Sequence, residues 1–231
     1  NATGVNGNET NTSARDSGAV YVFTRTNGVW SQQAYLKASN TRAGDEFGKS
    51  VALDGDTLAV GAWFQPWAFG TPLLYLEGSH GAVYVFTRTN GVWSQQAFLN
   101  ASNAEKGDGF GRSVAVSGDT LAVGALDEDS CAIGVNGNQA DNGCSDAGAV
   151  YVFTRTNGVW SQQAYLKASN TRYCQSFGGS VALSGDTLAV GGGDASALTG
   201  VTPGAPTESK TGNGANASGA VYVFTRTGTV W

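Results

Sequence analysis

At 231 residues, with 34 glycines, six tryptophans and no methionine, the chain can bury a sizeable core, yet only 13% of it is charged. A net charge of −5, an estimated pI of 4.8 and the lack of any Lys/Arg cluster argue against nucleic acid or an anionic membrane as partner. The chain opens at Asn1 without an initiator methionine, a charged-then-apolar leader or a run of spanning length, and so reads as a processed or excised piece of a soluble chain. Low charge with abundant Gly, Ser, Thr and Asn leans toward an exported repeat protein.

Residues 1–17 are polar and glycine-rich and read as loop. They align with 131–147, sharing Gly-Val-Asn-Gly-Asn. Next comes Ala19 to Leu36, AVYVFTRTNGVWSQQAYL, which returns at 82–99 and 149–166 and begins a fourth time at Ala220, stopping at Trp231. The three full copies differ only where Tyr35 and Tyr165 face Phe98. Tyr21 and Phe23 point to one face and Val20 and Val22 to the other, so neither face suits water. Asn27-Gly28 supplies the two positive-φ positions of a tight hairpin turn, and Val29-Trp30 starts the return strand.

A second stretch alternates with the first: FGKSVALDGDTLAVGA at 47–62, FGRSVAVSGDTLAVGA at 110–125 and FGGSVALSGDTLAVGG at 177–192. Each is again a hairpin, turning at Asp54-Gly55-Asp56 and its counterparts. Repetition at a fixed period outranks other signals, because a repeat unit buries its faces only against its neighbours. Two hairpins per period give four antiparallel strands, the strand count of a propeller blade. The expected fold is therefore all-β: a half blade over 18–39, blades over 47–103 and 110–170, and a blade over 177–231 lacking most of its last strand. That makes about three and a half blades in a single array. Phe47, Phe110 and Phe177 are 63 and 67 residues apart, with the slack in the loops between second and third strands. Nearly identical scaffolds with one variable loop set place function in those loops.

Phe47-Gly48 followed by Gly61-Ala62, Phe110-Gly111 by Gly124-Ala125, and Phe177-Gly178 by Gly191-Gly192 resemble the FG-GAP repeat, the blade motif of integrin α-subunit heads and of many bacterial exported proteins. The resemblance covers roughly residues 18–231 and implies a β-propeller with a role in adhesion, recognition or surface structure. The family's proline is replaced by Trp63, Leu126 and Gly193. The hairpin that carries the family's calcium loop shrinks here to Asp54-Gly55-Asp56, Ser117-Gly118-Asp119 and Ser184-Gly185-Asp186, so the integrin-type calcium site does not carry over.

Calcium has one other candidate place. Asp127 and Asp129 open the long loop of the third repeat and Asp141 and Asp146 lie near its end; a folded-back loop could converge their oxygens, the alternative being an acidic, solvated loop. Asp45 and Asp108 precede Phe-Gly pairs, where the third copy has Gln175, and read as turn-formers. Cys131 and Cys144 bracket the acidic loop and are expected to form a disulfide, leaving Cys174, at the place of Gly44, as a free thiol or an intermolecular bridge. Sequons place candidate glycosylation at Asn1, Asn8, Asn11, Asn100 and Asn216. The loop of the second repeat is aromatic where its counterparts are polar. Trp63, Phe64, Trp67, Phe69, Leu73 and Tyr75 form a candidate interface, with a folded-over mini-core or a sugar-stacking site as the other readings.

The only histidine, His80, sits beside Gly81 without a repeated Ser or Asp partner, and no nucleophile motif, phosphate loop or zinc spacing occurs. The expectation is a non-enzymatic extracellular or cell-surface structural or adhesive protein, self-assembling into a filament or closed oligomer through unfinished terminal blades. A glycan- or protein-ligand-binding propeller, with or without calcium, is the alternative.

Overall fold

The computed structural model describes residues 2–64, 80–193 and 219–231. Its thirteen strands are β1 (Val20–Thr26), β2 (Val29–Leu36), β3 (Ser50–Asp54), β4 (Thr57–Ala62), β5 (Ala82–Thr89), β6 (Val92–Leu99), β7 (Phe110–Ser117), β8 (Thr120–Ala125), β9 (Ala149–Thr156), β10 (Val159–Leu166), β11 (Ser180–Ser184), β12 (Thr187–Gly192) and β13 (Ala220–Thr225). They form four antiparallel sheets: β1-β2, β3-β4-β5-β6, β7-β8-β9-β10 and β11-β12-β13. The protein is all-β, with four-stranded blades of a partial β-propeller and a two- and a three-stranded sheet at its ends. Among the described residues no helix is long and apolar enough to cross a membrane.

Local sequence explains each hairpin. Asn27 and Gly28 have φ of 49° and 84°, and Asn90-Gly91 and Asn157-Gly158 repeat this, the twist that a two-residue turn needs between right-twisted strands. Strand alternation then gives every blade two unlike faces. The backward face carries Tyr84, Phe86 and Trp93 in the second blade; the forward face carries Val83, Val85 and Leu99. The backward face of the second blade packs on Val22, Ala34 and Leu36 of the half blade. Its forward face packs on Phe110, Tyr151, Phe153 and Trp160 of the third blade, whose Val150, Val152 and Leu166 in turn cover Phe177 and Tyr222. Three cores, one per junction, hold the array together.

Glycines set how close blades come. A Cβ on Gly61 would lie 2.1 Å from the Gly111 carbonyl oxygen of the next blade, and one on Gly124 2.0 Å from that of Gly178. Gly18, Gly81 and Gly148, all at positive φ, press equally on the backbone of Phe47, Phe110 and Phe177. The Phe-Gly and Gly-Ala pairs of the motif are therefore the two sides of one backbone contact between neighbouring blades.

On the half blade, both of whose faces are apolar in sequence, only one is covered: Tyr21 and Phe23 are 49% and 52% exposed, whereas Val22 is buried at 8% and Val20 packs beside it. Among the described residues each end sheet has one apolar face exposed, while the other meets an internal blade.

Candidate functional site: blade junctions and the loop at 126–148

A β-bulge lies between β1 and β2, β5 and β6, and β9 and β10, and it leaves Gln33, Gln96 and Gln163 without a cross-strand partner. A bulge re-aims a side chain, and each of these glutamines turns toward the following blade. Trp93 Nε1 donates to Gln33 Oε1 at 2.9 Å, Trp160 Nε1 to Gln96 at 2.9 Å and Trp231 Nε1 to Gln163 at 3.0 Å. The arginine of the same hairpin joins in. Arg155 stacks on Trp160 at 5.1 Å, donates to Asp119 of its own blade at 2.6 Å, and reaches Thr57 and Gln96 of the preceding blade. Arg226 does the same around Trp231, with Asp186, Thr120 and Gln163, and Arg88 around Trp93 reaches Asp56 and Gln33. Sequence reasoning assigned no role to the Gln-Gln pair, since a bulge leaves no trace in alternation.

Outer edges are capped by the Gly-Val-Asn-Gly-Asn loops. Val5 bridges Leu36 and Val135 bridges Leu166. Asn6 and Asn136 donate backbone N–H to the Tyr35 and Tyr165 carbonyls at 2.7 Å and take the tyrosine N–H on their side chains. The shared five residues thus shield an edge strand that would otherwise present unpaired groups.

Cys131 and Cys144 are disulfide-bonded, and Cys174 is free and exposed at φ 55°, the left-handed turn position that Gly44 fills in the first repeat. Beneath the disulfide lies a buried polar cluster. Lys167 Nζ donates to Glu128 Oε2 at 2.7 Å, with side-chain exposures of 0% and 2%. Tyr165 and Asn103 donate to Glu128 Oε1, the Ser130 N–H donates to Oε2, and Tyr151 donates to Asn103. Four donors satisfy this carboxylate, which a buried charge requires. Burial pushes the Tyr151 and Tyr165 hydroxyls up and the Lys167 amine down, Glu128 opposing the latter. Burial, then Glu128, Glu105 and Asp129, raise Asp108 to about 7 against the Glu105 N–H bond.

Two of the four carboxylates considered for calcium accept backbone N–H groups within the loop. Asp141 accepts the Cys131 and Gly143 N–H groups, and Asp129 accepts that of Asp146. Asp127 is raised to about 6 by burial and then by Asp146 and Asp129, with Arg112 opposing. Among the described residues no group of three or more His, Cys, Asp or Glu side chains is placed to hold a metal ion, so the geometry lends the calcium expectation no support. Of the aromatic loop, Trp67, Phe69, Leu73 and Tyr75 lie outside the described residues. Trp63 donates to Glu46 at 2.6 Å beneath Lys49 and Arg112, and Phe64 meets it edge-on. Asn1 and Asn216 also lie outside them. Asn8 and Asn11 accept from Thr10 and Ser13, and Asn100 Nδ2 donates to the Gly81 carbonyl. His80 is a loop residue ahead of the Gly81–Phe110 bridge.

The blades, glycine contacts and junction clamps define a repeat protein of propeller type. The FG-GAP repeat profile matches residues 30–86, 93–153 and 160–224, more than half of the chain, and the protein belongs to the FG-GAP repeat family. No curated protein matches it.

Proposed function

We propose that this is a non-enzymatic, extracellular or cell-surface structural or adhesive repeat protein whose copies associate head to tail through their end sheets. The observation that carries this reading is the match between the two uncovered faces. The half blade shows a backward face of Tyr21, Phe23 and Trp30, exposed by 49%, 52% and 65%, where Tyr84, Phe86 and Trp93 are buried at the next junction. The last sheet shows a forward face of Val221 and Val223, exposed by 67% and 36%, where Val83 and Val85 are fully buried. What one end lacks, the other offers. Such a contact joins unlike surfaces, so it builds a ring where the rotation closes and a filament where it does not.

Magnitudes set the strength. Five such side chains, at about 1.5 kcal/mol each for the portion still exposed, give roughly 7 kcal/mol before association costs. Taken alone that is a ceiling on affinity near a dissociation constant of about 10⁻⁵ M, which the cost of association weakens further, so the assembly is concentration-dependent. The Cys131–Cys144 bond and the sequons at Asn8 and Asn11 support an oxidising, exported setting. The test is Phe23→Glu, which places a charge in the backward face without touching an internal junction. Light scattering is expected to show the variant at monomer mass at concentrations where the parent chain has associated. Equal association by both proteins would remove the end sheets from the account.

A further inference from the structure

The turns before the three Phe-Gly pairs are built alike. Residue 45, 108 or 175 accepts the backbone N–H three positions back: Arg42 to Asp45 at 2.6 Å, Glu105 to Asp108 at 2.9 Å and Arg172 to Gln175 at 3.2 Å. The tyrosine of the following blade donates its hydroxyl to the asparagine at the start of the turn: Tyr84 to Asn40, Tyr151 to Asn103 and Tyr222 to Asn170. In the third turn the remaining end of the side chain is a donor. Gln175 Nε2 gives hydrogen bonds to the Tyr222 hydroxyl at 2.8 Å and to Asn170 at 3.4 Å.

Asp45 occupies that place in the first turn and is fully buried. Its Oδ1 has no hydrogen-bond partner. Lys37 faces it from the end of β2, but that buried amine donates to Ser17 Oγ at 2.6 Å and to the Gly18 carbonyl and forms no ion pair with Asp45. Arg42 faces it from its own turn. A buried carboxylate holding one N–H bond on one oxygen and none on the other is poorly compensated. A carboxylic acid would instead carry no charge on that oxygen and could present an O–H from it, on a side chain one methylene shorter than the glutamine that offers an N–H in the third turn.

We propose that Asp45 is a protonation switch in the junction between the half blade and the second blade, a donor like Gln175 when neutral and an uncompensated buried charge when its proton has left to solvent. Burial, opposed by the Arg42 N–H bond and by the Arg42 and Lys37 charges, puts its titration at about 6. Because the folded value lies above that of the unfolded chain, the native state holds the proton more tightly. The contribution to stability is full below about pH 4 and is lost as pH rises through about 6. The half blade is therefore held more firmly in mild acid, whether or not copies associate.

Carboxyl-carbon NMR of the intact chain, diluted until monomeric, reads Asp45 directly, with denaturant unfolding of the parent and Asp45→Asn followed from pH 4 to pH 7. We expect an inflection near 6, displaced upward in Lys37→Gln, and an unfolding equilibrium constant that rises about fiftyfold more in the parent than in the variant between pH 4 and pH 7. An inflection at the ordinary carboxylate value near 4 overturns the proposal. So do equal pH slopes for parent and variant. If Asp45→Asn does not fold, the titration of the parent chain decides alone.

Discussion

Each bulged glutamine accepts hydrogen bonds from a tryptophan and an arginine of the blade that follows, so truncating it strands buried donors. Gln96→Ala leaves Trp160 Nε1, on a side chain only 8% exposed, without its acceptor. The expected loss is about 1–3 kcal/mol by denaturant unfolding, whereas the same change at the neighbouring Gln95 should cost much less. The glycines make a sharper contrast. Gly124→Ala would set a Cβ 2.0 Å from the Gly178 carbonyl and is expected to abolish or severely weaken folding, since backbone cannot yield like a flexible side chain. Gly118→Ala, with nothing within 4 Å and φ 55°, should cost only about 1 kcal/mol from the strained backbone. Asn-Gly turns and the alternating aromatic and aliphatic faces were legible because they are strictly local chemistry. The glutamine's task was not, because it depends on a skipped residue in strand pairing and on a partner some 60 residues away.

At the scale of loops and strands, the Gly-Val-Asn-Gly-Asn segments could be seen to correspond, but their purpose, an added bridge along the blade's last strand, needed the hydrogen bonds at Leu36 and Leu166. The loop at 126–148 has three supports: that bridge, the disulfide, and the Glu128–Lys167 pair beneath it. Cys131→Ser with Cys144→Ser should therefore cost up to about 3 kcal/mol through the loop's entropy. Hydrogen exchange is expected to quicken at 129–145 while β9 and β10 keep their protection. Faster exchange throughout the third blade would mean that the bond holds the blade rather than its loop. Glu128 drew no notice in the sequence, standing within an acidic run; only burial distinguishes it from Asp127 and Asp129, and burial is a property of the folded loop.

For the whole molecule, an all-β array of four-stranded blades followed from repetition, since a sheet apolar on both faces needs a sheet on each side. Which faces stay open did not follow so simply. Each terminal sheet uses one face internally, and this leaves a Tyr-Phe-Trp surface at one end and a Val-Val surface at the other. Every internal junction joins those two surfaces in that order. Head-to-tail association would bring those two surfaces together once more, without the Phe-Gly backbone contact, because the two-stranded half blade carries no Phe-Gly pair. The most direct test is sedimentation velocity of the unmodified chain over a dilution series from about 10⁻⁶ to 10⁻³ M, reaching well above the affinity ceiling of about 10⁻⁵ M for the end faces. The account predicts a mass that climbs above 23.6 kDa as concentration rises. A folded chain that sediments at 23.6 kDa throughout the series would contradict it.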